Sequence, residues 1–425
     1  MKYRHELCLA VALLSVLSCK AQADSFHEAL IGGKISGEVR NTYVGGSQSD
    51  ARNGAAALNN SNVLGSALSL TYETGAYQGL KAVVGLQSGH DWGMQDDEQA
   101  TIAGGEDDSR VSISSTDLLV AYLEYAVDKS LTDTRVRIGR QKIVTPLLMS
   151  SGEFPMQDSF DAVVIENHDL PGTQLRMMAV NRWNKRYGED SNDTFVEDDL
   201  QYHNPVYSLY LTNNSISGLT VEAQWLSNRN DDPVGDPPAA VRTADKYDSG
   251  FLGLTYKIPD SSWILGAKAL TANYDKLPDT GYWGVKAQTT VKGVLLHLGY
   301  TSMDDDGNFP GSIGHVPMFR SYKTGFIDEI FAGLETTSLR VGYGFGLPGA
   351  NFNLIYSGWR QSDKGIAVSG RNLDGGYEAG VDLQYQFQRI KGLKGRLRTS
   401  YMDFDRPDVD KDDFLYTRVL LNYSF

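Results

Sequence analysis

From Lys34 to the end of the chain, apolar and polar residues alternate in segments of about eight to twelve residues. In the last segment, residues 414–425, one face carries Leu415, Thr417, Val419, Leu421, Tyr423 and Phe425. The opposite face of that segment is largely polar. Because successive side chains of a β-strand point to opposite sides, this alternation predicts strands with one apolar and one polar face. No convincing helix is predicted after Lys34, whereas residues 24–31 resemble a short capped helical turn.

Eighteen such segments can be counted, and the connectors between them alternate between long and short. Connectors 45–62 and 89–115 are long, whereas 74–78 and 128–133 are short. This alternation is typical of a transmembrane antiparallel β-barrel with short periplasmic turns and long extracellular loops. The sequence therefore predicts an all-β barrel of 18 strands. Because an unpaired edge is not stable in lipid, we expect residues 414–425 to close it against the first strand.

The first 23 residues have the pattern of a signal peptide. Lys2 and Arg4 form its basic start, residues 7–17 are apolar, and Ala21-Gln22-Ala23 is a small-residue cleavage motif. The apolar run 7–18 has twelve residues and is too short to cross a bilayer as a helix. A rival interpretation is a lipoprotein signal with Cys19 as the lipidated residue. We expect residues 24–425 to form one barrel domain.

Composition narrows the function classes. The two cysteines, Cys8 and Cys19, both lie in the predicted signal peptide, which excludes disulfides and cysteine-ligated metals from the mature chain. Cleavage would change the net charge from −14 to −16, and this acidity argues against a nucleic-acid partner. The acidic loop 91–110 is interpreted as a solvated tip, with divalent-cation binding to lipopolysaccharide phosphates as the alternative. No cofactor or metal site is assigned.

Several stretches together resemble the OprD family of substrate-specific outer-membrane porins. They are Ala29–Gly37, Ile138–Pro146, Asp161–Val164, Asp169–Thr173, Gly293–Tyr300, Gly307–Pro310, Ser338–Tyr343, Gly346–Tyr356 and Tyr377–Phe425. Each stretch is a weak signal alone, but their order and spacing together are specific. The resemblance spans most of the chain, from Ala29 to Phe425. The resemblance implies an eighteen-stranded barrel with a narrowed eyelet, often lined on one wall by a ladder of basic residues. It also implies uptake of small solutes that frequently carry a carboxylate.

The apolar alternation indicates which cations face the lumen. The predicted basic ladder consists of Arg340, Lys394, Arg396, Arg398, Arg418, Arg137 and Arg40, with Lys268 and Lys286 as further candidates. A water-filled lumen needs some polar lining, so a single inward arginine carries little information. Five of these cations lie within the last five predicted strands, namely Arg340, Lys394, Arg396, Arg398 and Arg418. Because neighbouring strands share one part of the wall, this clustering favours a functional ladder. Inward acids at Glu38, Glu222 and Asp382 would offset this field or face the ladder across the pore.

The connector that contains residues 146–159 is unusually apolar for an exterior loop, because it includes Leu147, Leu148 and Met149. An exposed loop rarely carries such residues, so we predict that this segment folds into the barrel and constricts it. Burial by neighbouring loops is the alternative. We expect the polar residues of this segment to help set the selectivity of the eyelet. They are Ser150, Ser151, Glu153, Gln157 and Asp158.

Catalysis is not expected. Only His297 lies in mid-strand, no Ser-His-acid arrangement is indicated, and no Gly-rich phosphate loop is found. We expect a passive outer-membrane porin of a Gram-negative bacterium that is selective for carboxylate-bearing solutes such as amino acids, peptides or organic acids. A porin for neutral oligosaccharides and a plugged barrel acting as an adhesin or structural protein are the alternatives.

The partners expected of such a barrel are outer-membrane lipid, lipopolysaccharide and small-molecule solutes. The barrel-assembly machinery is expected to recognise the C-terminal strand during biogenesis. Monomer and homotrimer both stay open.

Overall fold

The computed structural model describes residues 25–48, 61–92, 114–150, 152, 154–185, 200–230, 246–310, 313, 331–370, 372–403 and 413–425. The predicted signal peptide, 1–23, lies outside these residues, and so does most of the acidic loop 91–110. Both interpretations therefore stay predictions. No helix in the described ranges is long and apolar enough to cross a membrane.

Eighteen strands make up most of the described chain. Their bounds are β1 Lys34–Gln48, β2 Ser61–Glu73, β3 Leu80–His90, β4 Thr116–Ala126, β5 Thr134–Gln141, β6 Ser159–Asn167, β7 Thr173–Asn184, β8 Leu200–Asn213, β9 Leu219–Asn228, β10 Tyr247–Lys257, β11 Ile264–Tyr274, β12 Thr280–Val291, β13 Val294–Met303, β14 Leu334–Tyr343, β15 Ala350–Gln361, β16 Tyr377–Gln386, β17 Leu393–Asp403 and β18 Asp413–Ser424. Two short helices accompany them, α1 at Phe26–Ile31 and α2 at Asp363–Ser369.

The strands form one closed ring. Each strand pairs antiparallel with its neighbours in sequence, and β1 also pairs with β18 in the register Arg40↔Asn422. The terminal Phe425 adds two backbone bonds, because Gly37 N donates to its carbonyl at 3.0 Å and its own N–H donates to Gly37 O at 3.0 Å. A Cβ on Gly37 would lie 2.5 Å from the Phe425 ring, so this seam is closely packed. The predicted eighteen-stranded barrel and its closing pair are confirmed.

Side chains alternate across the wall as the sequence predicts. On β18, Leu415, Val419 and Leu421 are exposed on the outside, whereas Tyr416 and Arg418 are buried on the inside. β4 departs from the pattern, because a β-bulge opposite Gly85 and Leu86 skips one residue. Leu119 is therefore 1% exposed and packs with Val83, and it does not lie on the outer face with Leu123 and Tyr125.

Two predictions about the connectors were wrong. The β11–β12 connector, 275–279, has only five residues although it lies on the long-loop rim. The long loop 362–376 contains α2, whereas no helix was expected there. Ser362 Oγ accepts the N–H of Gly365 and Gly370 ends the helix at φ 65°, so capping at both ends stabilises a helix too short to show a periodic pattern.

The largest buried apolar cluster fills the inside of the barrel toward the long-loop rim. Trp183 at the end of β7, Tyr247 at the start of β10 and Phe309 and Phe331 from the β13–β14 loop all belong to it. Loop residues therefore pack within the ring instead of standing above it.

The outer face should tolerate charge far less than the inner face. We expect Leu252→Arg, on the exposed outer face of mid-β10, to lower the free energy of unfolding by about 2–4 kcal/mol, because a cation near the bilayer midplane is poorly solvated. Urea unfolding in lipid vesicles, followed by tryptophan fluorescence, measures the change. Thr255→Arg on the same strand but on the inner face is the matched control. Equal losses for both variants would contradict the assigned faces.

Candidate functional site

The loop between β5 and β6 turns back on itself directly after Gln141. Thr145 N donates to Leu148 O at 2.7 Å, and Ser150 N donates to Ile143 O at 2.6 Å. Leu147 and Leu148 are buried between these bonds, with exposures of 1% and 0%. The apolar residues that make this loop unusual in the sequence therefore pack within the protein.

The loop is fastened to distant parts of the wall. On β9, Gln224 Oε1 accepts the N–H of Leu147 at 2.8 Å, and on β3 Gln87 exchanges two bonds of 2.9 Å with the backbone of Gln157. On β18, Arg418 lies 4.7 Å from the centre of the Phe154 ring. Because β9 and β18 are nine strands apart in either direction around the ring, the loop crosses the lumen. It is called the constriction loop below.

A second loop reaches the same place. Ile313, from the β13–β14 connector, donates its N–H to Leu147 O at 3.0 Å and accepts the N–H of Met149 at 2.9 Å. The Ile313 side chain is buried with an exposure of 1%. Sequence reasoning missed this contact, because nothing in the sequence around Ile313 indicates which distant segment it meets.

A cavity of about 420 Å³ lies along the wall formed by the last four strands, beside the constriction loop. Its cationic lining consists of Lys394, Arg396 and Arg398 from β17 and Arg418 from β18. Amide side chains complete the wall, namely Asn351, Gln384, Gln386 and Asn422. Four of the seven predicted ladder residues are thus brought together.

Asp382 neutralises part of this wall. Arg396 donates from Nε to Asp382 Oδ1 and from Nη2 to Oδ2, both at 2.7 Å, which is a bidentate pair. Asp382 is also the register partner of Arg398. The acid therefore lies beside the cations on the adjacent strand, and it offsets their field instead of facing them across the pore. Arg396 keeps 34% of its side chain exposed.

The predicted ladder residues outside the cavity have different surroundings. Arg340 on β14 lies opposite His297 in register and interacts electrostatically with Asp382 and Arg396, so it extends the cationic wall. Arg137 is separate, because it pairs with Glu166 at 3.5 Å and Glu124 at 4.0 Å on another part of the ring. The structure does not bring Arg137 together with the cavity.

Arg40 and Arg418 contact the constriction loop directly. Arg40 Nη1 donates to the carbonyls of Gly152 and Phe154 at 2.8 and 3.2 Å, and its Nη2 pairs with Glu38 at 2.8 Å. Arg418 stacks on Phe154 and is 3% exposed.

The polar loop residues named from the sequence are placed unevenly. Ser150 Oγ accepts the N–H of Ile143 at 3.1 Å and so stabilises the turn. Gln157 and Asp158 are buried, the latter with an exposure of 0%, which leaves their side chains little surface to offer a solute. Ser151 and Glu153 lie outside the described residues.

Lys142 is a candidate that sequence reasoning missed. It follows β5 directly, and its Nζ donates to Gln157 Oε1. Its surface is open to the lumen, yet the surrounding walls desolvate the ammonium and, with the nearby charge of Arg40, lower its pKa to about 8. A lysine at the end of a strand gives no hint of this in sequence, since the loop that encloses it is not visible there.

A sequence profile of the family described as "outer membrane porin, OprD family" matches residues 28–425. The chain belongs to the OprD family. Membership makes it a porin of the Gram-negative outer membrane, in contact with lipid, lipopolysaccharide and small solutes, and places it in a family of channels. No curated protein gives a significant sequence match.

Solved structures with the same fold include two porins of Pseudomonas aeruginosa. OccK9 (OpdG) is 18% identical with a TM-score of 0.73, covering 93% of this chain and 99% of its own. OpdO is 17% identical with a TM-score of 0.68, covering 94% and 98%. OccAB2 of Acinetobacter baumannii is 16% identical with a TM-score of 0.71, covering 94% and 99%. At these identities the likeness establishes the OprD-type barrel alone.

The low pKa of Lys142 leads to a pH dependence. Lys142 is charged below about pH 8 and neutral above it, so we expect the anion preference of the channel to fall as the pH rises from 7 to 9. Reversal potentials in a KCl gradient across a planar bilayer measure this preference at each pH. Lys142→Gln should remove the dependence over that interval, and an unchanged titration in this variant would show that another group is responsible.

Proposed function

We propose that this porin selects small solutes that carry a carboxylate, such as amino acids, peptides or organic acids. The observation that carries the proposal is the cavity wall in which Lys394, Arg396 and Arg398 follow one another on a single strand. Consecutive inward residues on a strand are about 7 Å apart, so a carboxylate can pass from one cation to the next.

The arginines of this wall are suited to attracting a carboxylate-bearing solute without holding it tightly. A guanidinium offers a carboxylate two parallel hydrogen bonds, which favours anions by geometry as well as by charge. Asp382 already occupies one such fork on Arg396 and weakens the attraction at that position. A conducting channel needs this compromise, because a solute that is held too strongly does not leave.

Neutral oligosaccharides are the second candidate, and the amides that line the same cavity favour them. Asn351, Gln384 and Asn422 line the cavity, and a side-chain amide is a group that can hydrogen-bond a hydroxyl. A plugged barrel acting as an adhesin or structural protein is the third, and burial of loop side chains inside the ring is the observation behind it. Recognition of the C-terminal strand by the assembly machinery, and a monomeric or homotrimeric state, are kept as predictions.

Neutralising the β17 cations should separate these functions. In proteoliposome swelling, we expect Lys394→Gln/Arg396→Gln/Arg398→Gln to slow the uptake of amino acids and organic acids about tenfold relative to neutral sugars, as loss of about 1.4 kcal/mol of attraction would. Arg137→Gln, which removes a cation away from the cavity, is the control and should change this ratio little. Equal slowing of sugars and acids would overturn the carboxylate proposal in favour of neutral solutes. Absence of discrete channels in planar bilayers would favour the plugged barrel.

A further inference from the structure

Two arginines of the predicted ladder differ from the others in what they touch. We propose that Arg40 and Arg418 are positioning residues that fasten the tip of the constriction loop, around Phe154, and thereby set the width of the eyelet. The cations of β17 would then select the solute. The role of the β17 cations in this inference rests on the proposed function. The fastening of the loop does not, since it follows from the contacts of the Arg40 and Arg418 side chains.

Arg40 holds the backbone of the loop. One of its nitrogens, Nη1, donates to two carbonyls of the loop, Gly152 O and Phe154 O, and the other, Nη2, is paired with Glu38. Glu38 is two residues away on the same strand, so it orients the guanidinium toward the loop. Only 12% of the Arg40 side chain is exposed. The two terminal nitrogens of Arg40 are therefore directed at the protein and not at the lumen.

Arg418 holds the side chain of the loop. The guanidinium carbon lies over the Phe154 ring, 4.7 Å from its centre, which is a cation–π contact. Its Nε and Nη2 both donate to the hydroxyl of Tyr416, at 3.0 and 2.6 Å. With 3% of its surface exposed, Arg418 offers a passing carboxylate little access.

Arg40 and Arg418 both contact the same loop residue, Phe154. β1 and β18 are paired neighbours, and Arg40 and Arg418 lie on facing strands, opposite Asn422 and Val44 respectively. Arg40 binds the Phe154 carbonyl while Arg418 covers the Phe154 ring, so backbone and side chain of the same residue are held. The loop is also held on either side of Phe154, at Leu147 by Gln224 and at Gln157 by Gln87. Loss of either arginine should release the tip while the loop stays attached elsewhere.

Arg396 provides the contrast. Its side chain is 34% exposed, and its fork is filled by Asp382 on the adjacent strand of the wall. Neutralising Arg396 changes only the charge of the cavity, whereas replacing Arg40 or Arg418 also changes what holds the loop. Lysine substitutions separate the two effects, because lysine keeps the positive charge but has neither the planar fork nor the stacking face.

Single-channel recording of Arg40→Lys and Arg418→Lys in planar bilayers tests the proposal. We expect both variants to show high-conductance, noisy openings whose occupancy is about tenfold that in the wild type, which corresponds to a loss of about 1.4 kcal/mol. Their anion-to-cation permeability ratio should stay close to the wild-type ratio. Arg137→Lys is the matched control, because Arg137 pairs with Glu166 and Glu124 away from the cavity and the constriction loop, and it should keep the wild-type conductance.

Phe154→Ala keeps the test decisive if an arginine variant folds poorly. This variant should reproduce the noisy openings, and adding Arg418→Lys to it should increase them no further, since both changes remove one contact. Quiet, wild-type conductance in Arg40→Lys, Arg418→Lys and Phe154→Ala would overturn the fastening. If these variants instead changed the ratio of carboxylate to sugar uptake and left the conductance unchanged, the two arginines would be solute-selecting residues of the basic ladder. Failure of the proposed function would be seen in a different experiment, because it requires the triple β17 variant to leave the ratio of carboxylate to sugar uptake unchanged.

Discussion

The structure depends on one constraint, which is that backbone N–H and C=O groups inside a membrane need partners within the protein. A sheet meets it only by closing on itself, and pairing of β1 with β18 leaves no free edge. Closure separates an outer surface that must be apolar from an inner surface that is free to be polar. The lumenal cations, the amides and the constriction loop all lie on the side that closure shields from lipid.

Inside that ring, arginine is used in two ways. Where a guanidinium is directed at the loop, as in Arg40, its donors bind carbonyls and it acts as a structural element. Where it stays partly open to the lumen, as in Arg396, it contributes charge that a neighbouring carboxylate moderates. The same fork geometry serves both uses, so position relative to the loop decides which one applies.

Much of the barrel was predictable because period-two alternation is a local property that each strand carries by itself. The eighteen strands, the closing pair and the inward direction of Arg418 follow from it. The partners of inward residues depend on which distant segments the ring brings together. Neither the separation of Arg137 from the cavity nor the contact of Ile313 with Leu147 has a local signal. Leu119 lies inside because a bulge shifts the alternation of β4, which the sequence does not reveal, and α2 was missed because seven residues are too few to show a period.

The seam between β1 and β18 joins the two ends of the chain, and Arg40 and Arg418 lie on its two sides. Before these strands meet, the two arginines that contact the carbonyl and the ring of Phe154 belong to opposite ends of an open sheet. The eyelet therefore reaches its final shape only in the completed ring. Sealing the membrane-facing edge and narrowing the passage are consequences of one event in assembly, so an unfinished barrel has neither.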